Sequence, residues 1–116
     1  MHFEGLTAMT IEVQRVGEDA VIKLSGRLDM NASPDLRKLA LRLCKNACKT
    51  LTIDFTDVSY LDTSGLATLL EILVTAKEQR AQLTLRGLNE KVRYLIDVNG
   101  LTSFFRIEST PDTLYA

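Results

Sequence analysis

The chain has 116 residues, of which 46% are hydrophobic and 25% charged, the balance of a globular domain with enough apolar surface to build a core. Its 14 Lys and Arg against 15 Asp and Glu leave a formal net charge of −1, so no overall field draws it to nucleic acid or to an anionic membrane. No apolar run nears the roughly 20 residues that a membrane-spanning helix requires, and the start "MHFEGLTAMTIEV" lacks the basic and apolar regions of a secretory leader. The expectation is one cytoplasmic domain over residues 1–116, with 1–9 a flexible lead-in, no nucleic-acid partner and no membrane insertion.

From Met9 to Val16 the chain alternates apolar and polar residues, as a half-buried strand does. "GED" supplies a turn, and "AVIKLSG" reads as a second strand antiparallel to the first. In "RLDMNASPDLRKLALRLCKNA", Ser33 suits an N-cap and Pro34 the first helical position. Leu36, Leu39, Ala40, Leu43, Cys44 and Ala47 then recur at helical spacing on one face. Cys44 and Cys48 lack the further ligands of a tetrahedral metal site, since the one histidine is His2, and Cys44 reads as a small buried hydrophobe. No metal and no cofactor are expected.

"KTLTIDFTDV" alternates again, with Leu51, Ile53 and Phe55 inward and Thr52 and Asp54 outward. "SYLDTSG" leads into a helix from about Ser64 to Arg80. With Leu66 as its centre, Leu69, Leu70, Leu73, Val74 and Lys77 form the packed side; Thr68, Glu71, Thr75, Glu78 and Gln79 form the wet side. Ile72 stands at the border between them, half exposed. "AQLTLRG" is a further strand, Asn89 caps a short helix that Gly100 ends, and "SFFRIES" is a last short strand before a helix opened by "STPDTLYA". Strand–helix–strand repeats require parallel pairing through crossovers. Alternation along the strands leaves one sheet face to solvent. The predicted fold is therefore α/β, a mixed, mostly parallel sheet with helices mainly on one side.

Groups for catalysis are scarce. One terminal His disfavours a Ser-His-Asp or Cys-His site, and the glycines form no phosphate loop. Asp54, Asp57 and Asp62 read as ordinary loop acids, one of them supporting a helix start. The chain reads as a binding protein and not as an enzyme.

The cluster "DTSG" at 62–65 leaves two readings open. Four N–H groups at a helix start lack intrahelical partners, and Asp62, Thr63 and Ser64 are all good acceptors for them. Yet one acceptor makes a cap, and two adjacent hydroxyls stand where a phosphate is best tolerated.

"SYLDTSGLATLLEIL", preceded by "LTIDF", resembles the signature of the STAS domain, the family of sulfate transporters and anti-sigma factor antagonists. "LSGRLDMNASPDLRKL" is similar to that family's loop into its first helix, and "LTLRGLNEKVRYLIDVNGLTSFFRI" to its closing segment. The resemblance implies partner switching: the antagonist binds an anti-sigma factor and frees a sigma factor. The anti-sigma factor is also an ATP-dependent kinase, and a phosphatase reverses its action. The hydroxyl after the motif acid Asp62 takes the phosphate, which places it on Thr63 with Ser64 following. A kinase must dock on what surrounds that hydroxyl. The expected partner face therefore comprises Asp29 and Asn31 of the upstream loop, Asp62, Gly65, and the helix border at Thr68 and Ile72. Antagonists of this kind commonly carry Ser at position 63. A Thr there is also similar to the STAS subunit of the Mla phospholipid-transport system, which binds an ABC-type ATPase, and this is the alternative function.

Overall fold

The structure is a computed structural model that describes residues 9–108. Its strands are β1 (Met9–Val16), β2 (Asp19–Leu28), β3 (Thr50–Leu61), β4 (Gln82–Arg86) and β5 (Arg106–Glu108); its helices are α1 (Ser33–Cys44), α2 (Thr63–Glu78) and α3 (Glu90–Val98). They build one five-stranded sheet in the order β1-β2-β3-β4-β5. β1 is antiparallel to β2 and every other pairing is parallel, which is the mixed sheet expected.

One sheet face carries Ala20, Ile22, Leu24, Leu51, Ile53, Phe55, Leu83 and Leu85, all in the core cluster with Leu36 and Ala40 of α1, Leu69 and Ile72 of α2, and Val92 and Ile96 of α3. The opposite face is polar. Charges of alternating sign stand in register across it from edge to edge: Glu12, Lys23, Asp54, Arg86 and Glu108. Side chains two apart share a face, so the alternation of the sequence alone separates these two surfaces. Asp54 is no loop acid: it lies within β3, 8% exposed, and pairs with Arg86 at 3.1 Å. Asp57 also lies in β3, exposed, near Lys23.

Several boundaries differ from expectation. Ser33 is the first residue of α1 and not its cap; Ala32, which has no polar side chain, holds the cap position, and the Ser33 hydroxyl turns back to donate to the Asp29 carbonyl. Ser103 and Phe104 belong to a 3-10 turn, so the last strand begins at Arg106. Asn89 caps α3 through the Val92 amide at 2.8 Å, and Gly100 has φ +70°, as read. Cys44 is buried as expected, and so is Cys48. Met9 is already strand; the lead-in 1–8, with His2, and the helix from "STPDTLYA" lie outside the described residues.

The largest correction concerns α2. Ile72 is fully buried, and Thr68 and Thr75 are also buried, whereas Val74 is 56% exposed. The helix is turned relative to the sequence reading because α1 packs alongside it, with Arg37 of α1 bonded to Glu71 of α2 at 2.6 Å. Ser64 and Glu71 meet Ser33 and Arg37 of α1, and Thr68 and Thr75, at helical spacing from them on the same side, are buried instead of meeting water. Leu70 and Leu73 are only partly covered.

Candidate functional site

The site is built where two chain reversals meet, between β2 and α1 and between β3 and α2. β2 and β3 are parallel neighbours with Leu28 level with Leu61, so both strands deliver their following loops to the same edge of the sheet. Gly65 lets them close on each other. A Cβ there would lie 2.5 Å from the Leu61 side chain and 2.8 Å from the Leu28 carbonyl oxygen, so any side chain would push α2 away from β2.

Asp62 caps α2. Its Oδ1 accepts the Gly65 amide at 3.0 Å and the Ser64 hydroxyl at 2.6 Å. Burial by itself would raise its pKa, yet the bonds from Ser64, Gly65 and the Met30 amide outweigh burial and hold the carboxyl below the ordinary aspartate value. It is an anion at neutral pH, placed at the positive end of the helix.

The two hydroxyls differ sharply. Ser64 is half-buried, with its proton given to Asp62 and its oxygen 3.3 Å from the Ser33 oxygen. Thr63 is exposed, and its hydroxyl makes no hydrogen bond among the described residues. Of the two hydroxyls, only Thr63 is both accessible and uncommitted.

On the upstream loop, Asp29 is half-buried and accepts the Asn31 amide at 3.0 Å and the Ala32 amide at 3.2 Å through Oδ1. Asp29 therefore shapes the loop from inside. Asn31 is exposed, and Met30 beside it is 71% exposed. The fold thus brings Asp29, Asn31, Asp62, Thr63 and Ser64 together. Gly65 and Thr68 are buried, and Ile72 is removed to the core. The expectation that Thr68 and Ile72 form an exposed border is corrected accordingly.

What the outer face of α2 presents is the line Thr63, Ala67, Leu70 and Val74, with Ala67 and Val74 exposed and Leu70 partly so. This line has helical spacing i, i+4, i+7, i+11 and was legible had the phase been counted from Thr63. Ser33 and Met30 also border the site; the residue type of Ser33 suggests a cap and hides this place, whereas an apolar residue in a polar loop is the signal for Met30.

A family model described as "Mlab, STAS domain" matches residues 11–107. The chain belongs to the STAS domain family. The anti-sigma-B factor antagonist of Bacillus subtilis (strain 168) is 28% identical over 101 residues, covering 87% of this chain and 92% of that protein. The structure of the anti-sigma factor antagonist SpoIIAA in its unphosphorylated form superposes with a TM-score of 0.76 at 21% identity, covering 91% of this chain and 93% of the other. The Bacillus cell fate determinant SpoIIAA in the phosphorylated form gives 0.69 at 22% identity, covering 93% and 96%.

Proposed function

We propose that this chain is an anti-sigma factor antagonist that binds an anti-sigma factor of the kinase type and so frees a sigma factor. One observation carries the reading: an exposed Thr63 hydroxyl, without a hydrogen bond among the described residues, at the first position of a helix whose cap is supplied by another residue. Names of the curated relatives support the antagonist role, and the existence of SpoIIAA in two forms supports a phosphate switch. In the switching step the γ-phosphoryl of ATP passes to Thr63 Oγ1, ADP leaves, and the hydroxyl proton goes to a base of the kinase. The helix N-terminus lowers the cost of the new charge within the domain. A phosphatase restores the free hydroxyl.

The partner face consists of Thr63 with the exposed stripe of α2 and the Asp29–Ala32 loop. The test is to purify partners from the native cell and incubate them with ATP. A small ATP-binding kinase that places one phosphate on Thr63, and none on Thr63→Ala, is the expected result. Co-purification of an ABC-type ATPase with no phosphate transfer would favour the second reading, a STAS subunit of an Mla-type phospholipid-transport system. The description of the matching family model and the threonine at position 63 speak for that alternative.

A further inference from the structure

We infer that Ser33 and Ser64 form a hydroxyl joint between the two loops, in which Ser64 is a positioning residue and not a phosphate acceptor. This inference rests on the phosphoswitch reading for its role and on the geometry for its existence. Ser33 is 4% exposed and sits at the first turn of α1; Ser64 sits at the first turn of α2. The Ser33 hydroxyl lies 2.8 Å from the Asp29 carbonyl, the Ser64 hydroxyl lies 2.6 Å from Asp62 Oδ1, and the two hydroxyl oxygens are 3.3 Å apart.

Each hydroxyl carries one proton, so two protons serve three contacts. The Asp29 carbonyl takes the Ser33 proton, so the bond between the two hydroxyls is made by the Ser64 proton, shared between Asp62 Oδ1 and the Ser33 oxygen. The Ser64 proton therefore has two acceptors to choose between, Asp62 on its own loop and Ser33 on the other. Whatever changes the pull of Asp62 changes the bond offered to Ser33. A phosphate on Thr63 stands beside Asp62 and is such a change, because it adds about −1.5 to −2 charges at pH 7.

One further link ties the loops together: the Asp62 amide donates to the Leu28 carbonyl at 3.3 Å. Through this joint the state of Thr63 reaches Ala32 and Ser33, whose amides both donate to the Asp29 carbonyl. The exposed Met30 and Asn31 ride on that turn. A partner gripping both loops reads the modification twice, once at Thr63 and once through the shape of the upstream loop.

The test compares amide hydrogen exchange in the free protein, without any kinase. Ser64→Ala should speed exchange at Ala32 and Ser33 about fivefold, the loss of one net hydrogen bond. Ser64→Thr, which keeps the hydroxyl, should restore the native rate, and Thr63→Ala should leave it unchanged. Combining Ser33→Ala with Ser64→Ala should add nothing beyond the larger single effect. Unchanged exchange at Ala32 and Ser33 in Ser64→Ala, or simple additivity of the two, overturns the joint. So does phosphate found on Ser64 of the native chain after incubation with the kinase. Absence of phosphate from every residue would overturn the phosphoswitch alone, and the exchange comparison would still decide the joint.

Discussion

Asp54, in the middle of the polar sheet face, and Asp62, at the start of α2, each accept the hydroxyl of the residue two positions on, Thr56 and Ser64, both at 2.6 Å. Each also accepts a nearby amide, Thr56 at 2.9 Å and Gly65 at 3.0 Å. In both, burial pushes the pKa up and hydrogen bonds bring it below the ordinary aspartate value. The difference lies in what surrounds the motif. Asp54 is completed by Arg86 at 3.1 Å, and its neighbours in register alternate in sign across the sheet. Around Asp62 the cap is likewise complete, but Thr63, between acid and serine, is exposed and its hydroxyl has no hydrogen bond among the described residues. A finished polar network stabilises, whereas one with a free hydroxyl at its rim is available for chemistry.

The strongest way to break that comparison is to show that the rim of α2 is not a docking face. Ile72→Arg places a charge at a fully buried position and should cost at least about 3 kcal/mol in a urea titration, so loss of binding by that variant reports only loss of fold. Val74→Arg, on the exposed line from Thr63, should keep stability within about 0.5 kcal/mol and still weaken partner binding. Native affinity in Val74→Arg would remove the outer stripe of α2 from the interface.

The same pair explains what the sequence could convey. Strand alternation was unambiguous, and the sheet, its parallel pairing and the helix order followed from it. The cap chemistry at Asp62 and Asn89 was equally local and equally legible. The phase of α2 was not. Most of its residues are apolar, so several wheel angles bury leucines, and only the neighbouring α1 selects the one that buries Thr68 and Thr75. Ser33 was misplaced for a related reason: its hydroxyl answers to Asp29 and Ser64, and Ser64 lies 31 residues away. Pairing over that distance leaves no local trace. The motif positions were legible through spacing and resemblance, whereas which hydroxyl is free depended on coordinates.

On the sheet face, Arg86→Ala should sharpen the contrast by leaving the Asp54 carboxylate without its cation. A charged hydrogen bond of this kind, discounted for the partial exposure of Arg86, is worth about 1–2 kcal/mol at pH 7. The sign with pH follows from the lowered pKa. A carboxyl depressed in the folded state stabilises above its unfolded value of about 4 and loses that contribution as pH falls through the folded value. The gap between Arg86→Ala and the native protein should therefore narrow below about pH 4, measured by thermal melts across pH. A gap constant with pH would mean that Arg86 acts through packing instead of charge.

At the loop edge, Thr63→Glu imitates part of the phosphate charge. The helix N-terminus accommodates an anion, so the melting temperature should stay near native. Binding to the proposed anti-sigma partner should weaken at least about tenfold, or 1.4 kcal/mol, because the interface must desolvate a charge beside Asp62. A calorimetric titration giving equal affinities would remove the electrostatic basis of the switch.

The smallest expected effect is the most discriminating between cap and switch. If Thr63 helped to cap α2, truncating it would cost stability; the structure assigns that work to Asp62, whose side chain accepts the Gly65 amide. Asp62→Ala should accordingly lower stability by about 1 kcal/mol, the usual loss for an N-cap, since the amide is left to water and the anion is removed from the helix start. Thr63→Ala deletes an exposed hydroxyl that has no partner among the described residues and replaces a β-branched residue by a better helix former, so its change should stay within about 0.5 kcal/mol of zero. Both are read from the same urea unfolding series. A Thr63→Ala loss as large as that of Asp62→Ala would mean that the hydroxyl serves the helix after all, and Thr63 would then resemble Thr56 of the sheet face, bonded and silent.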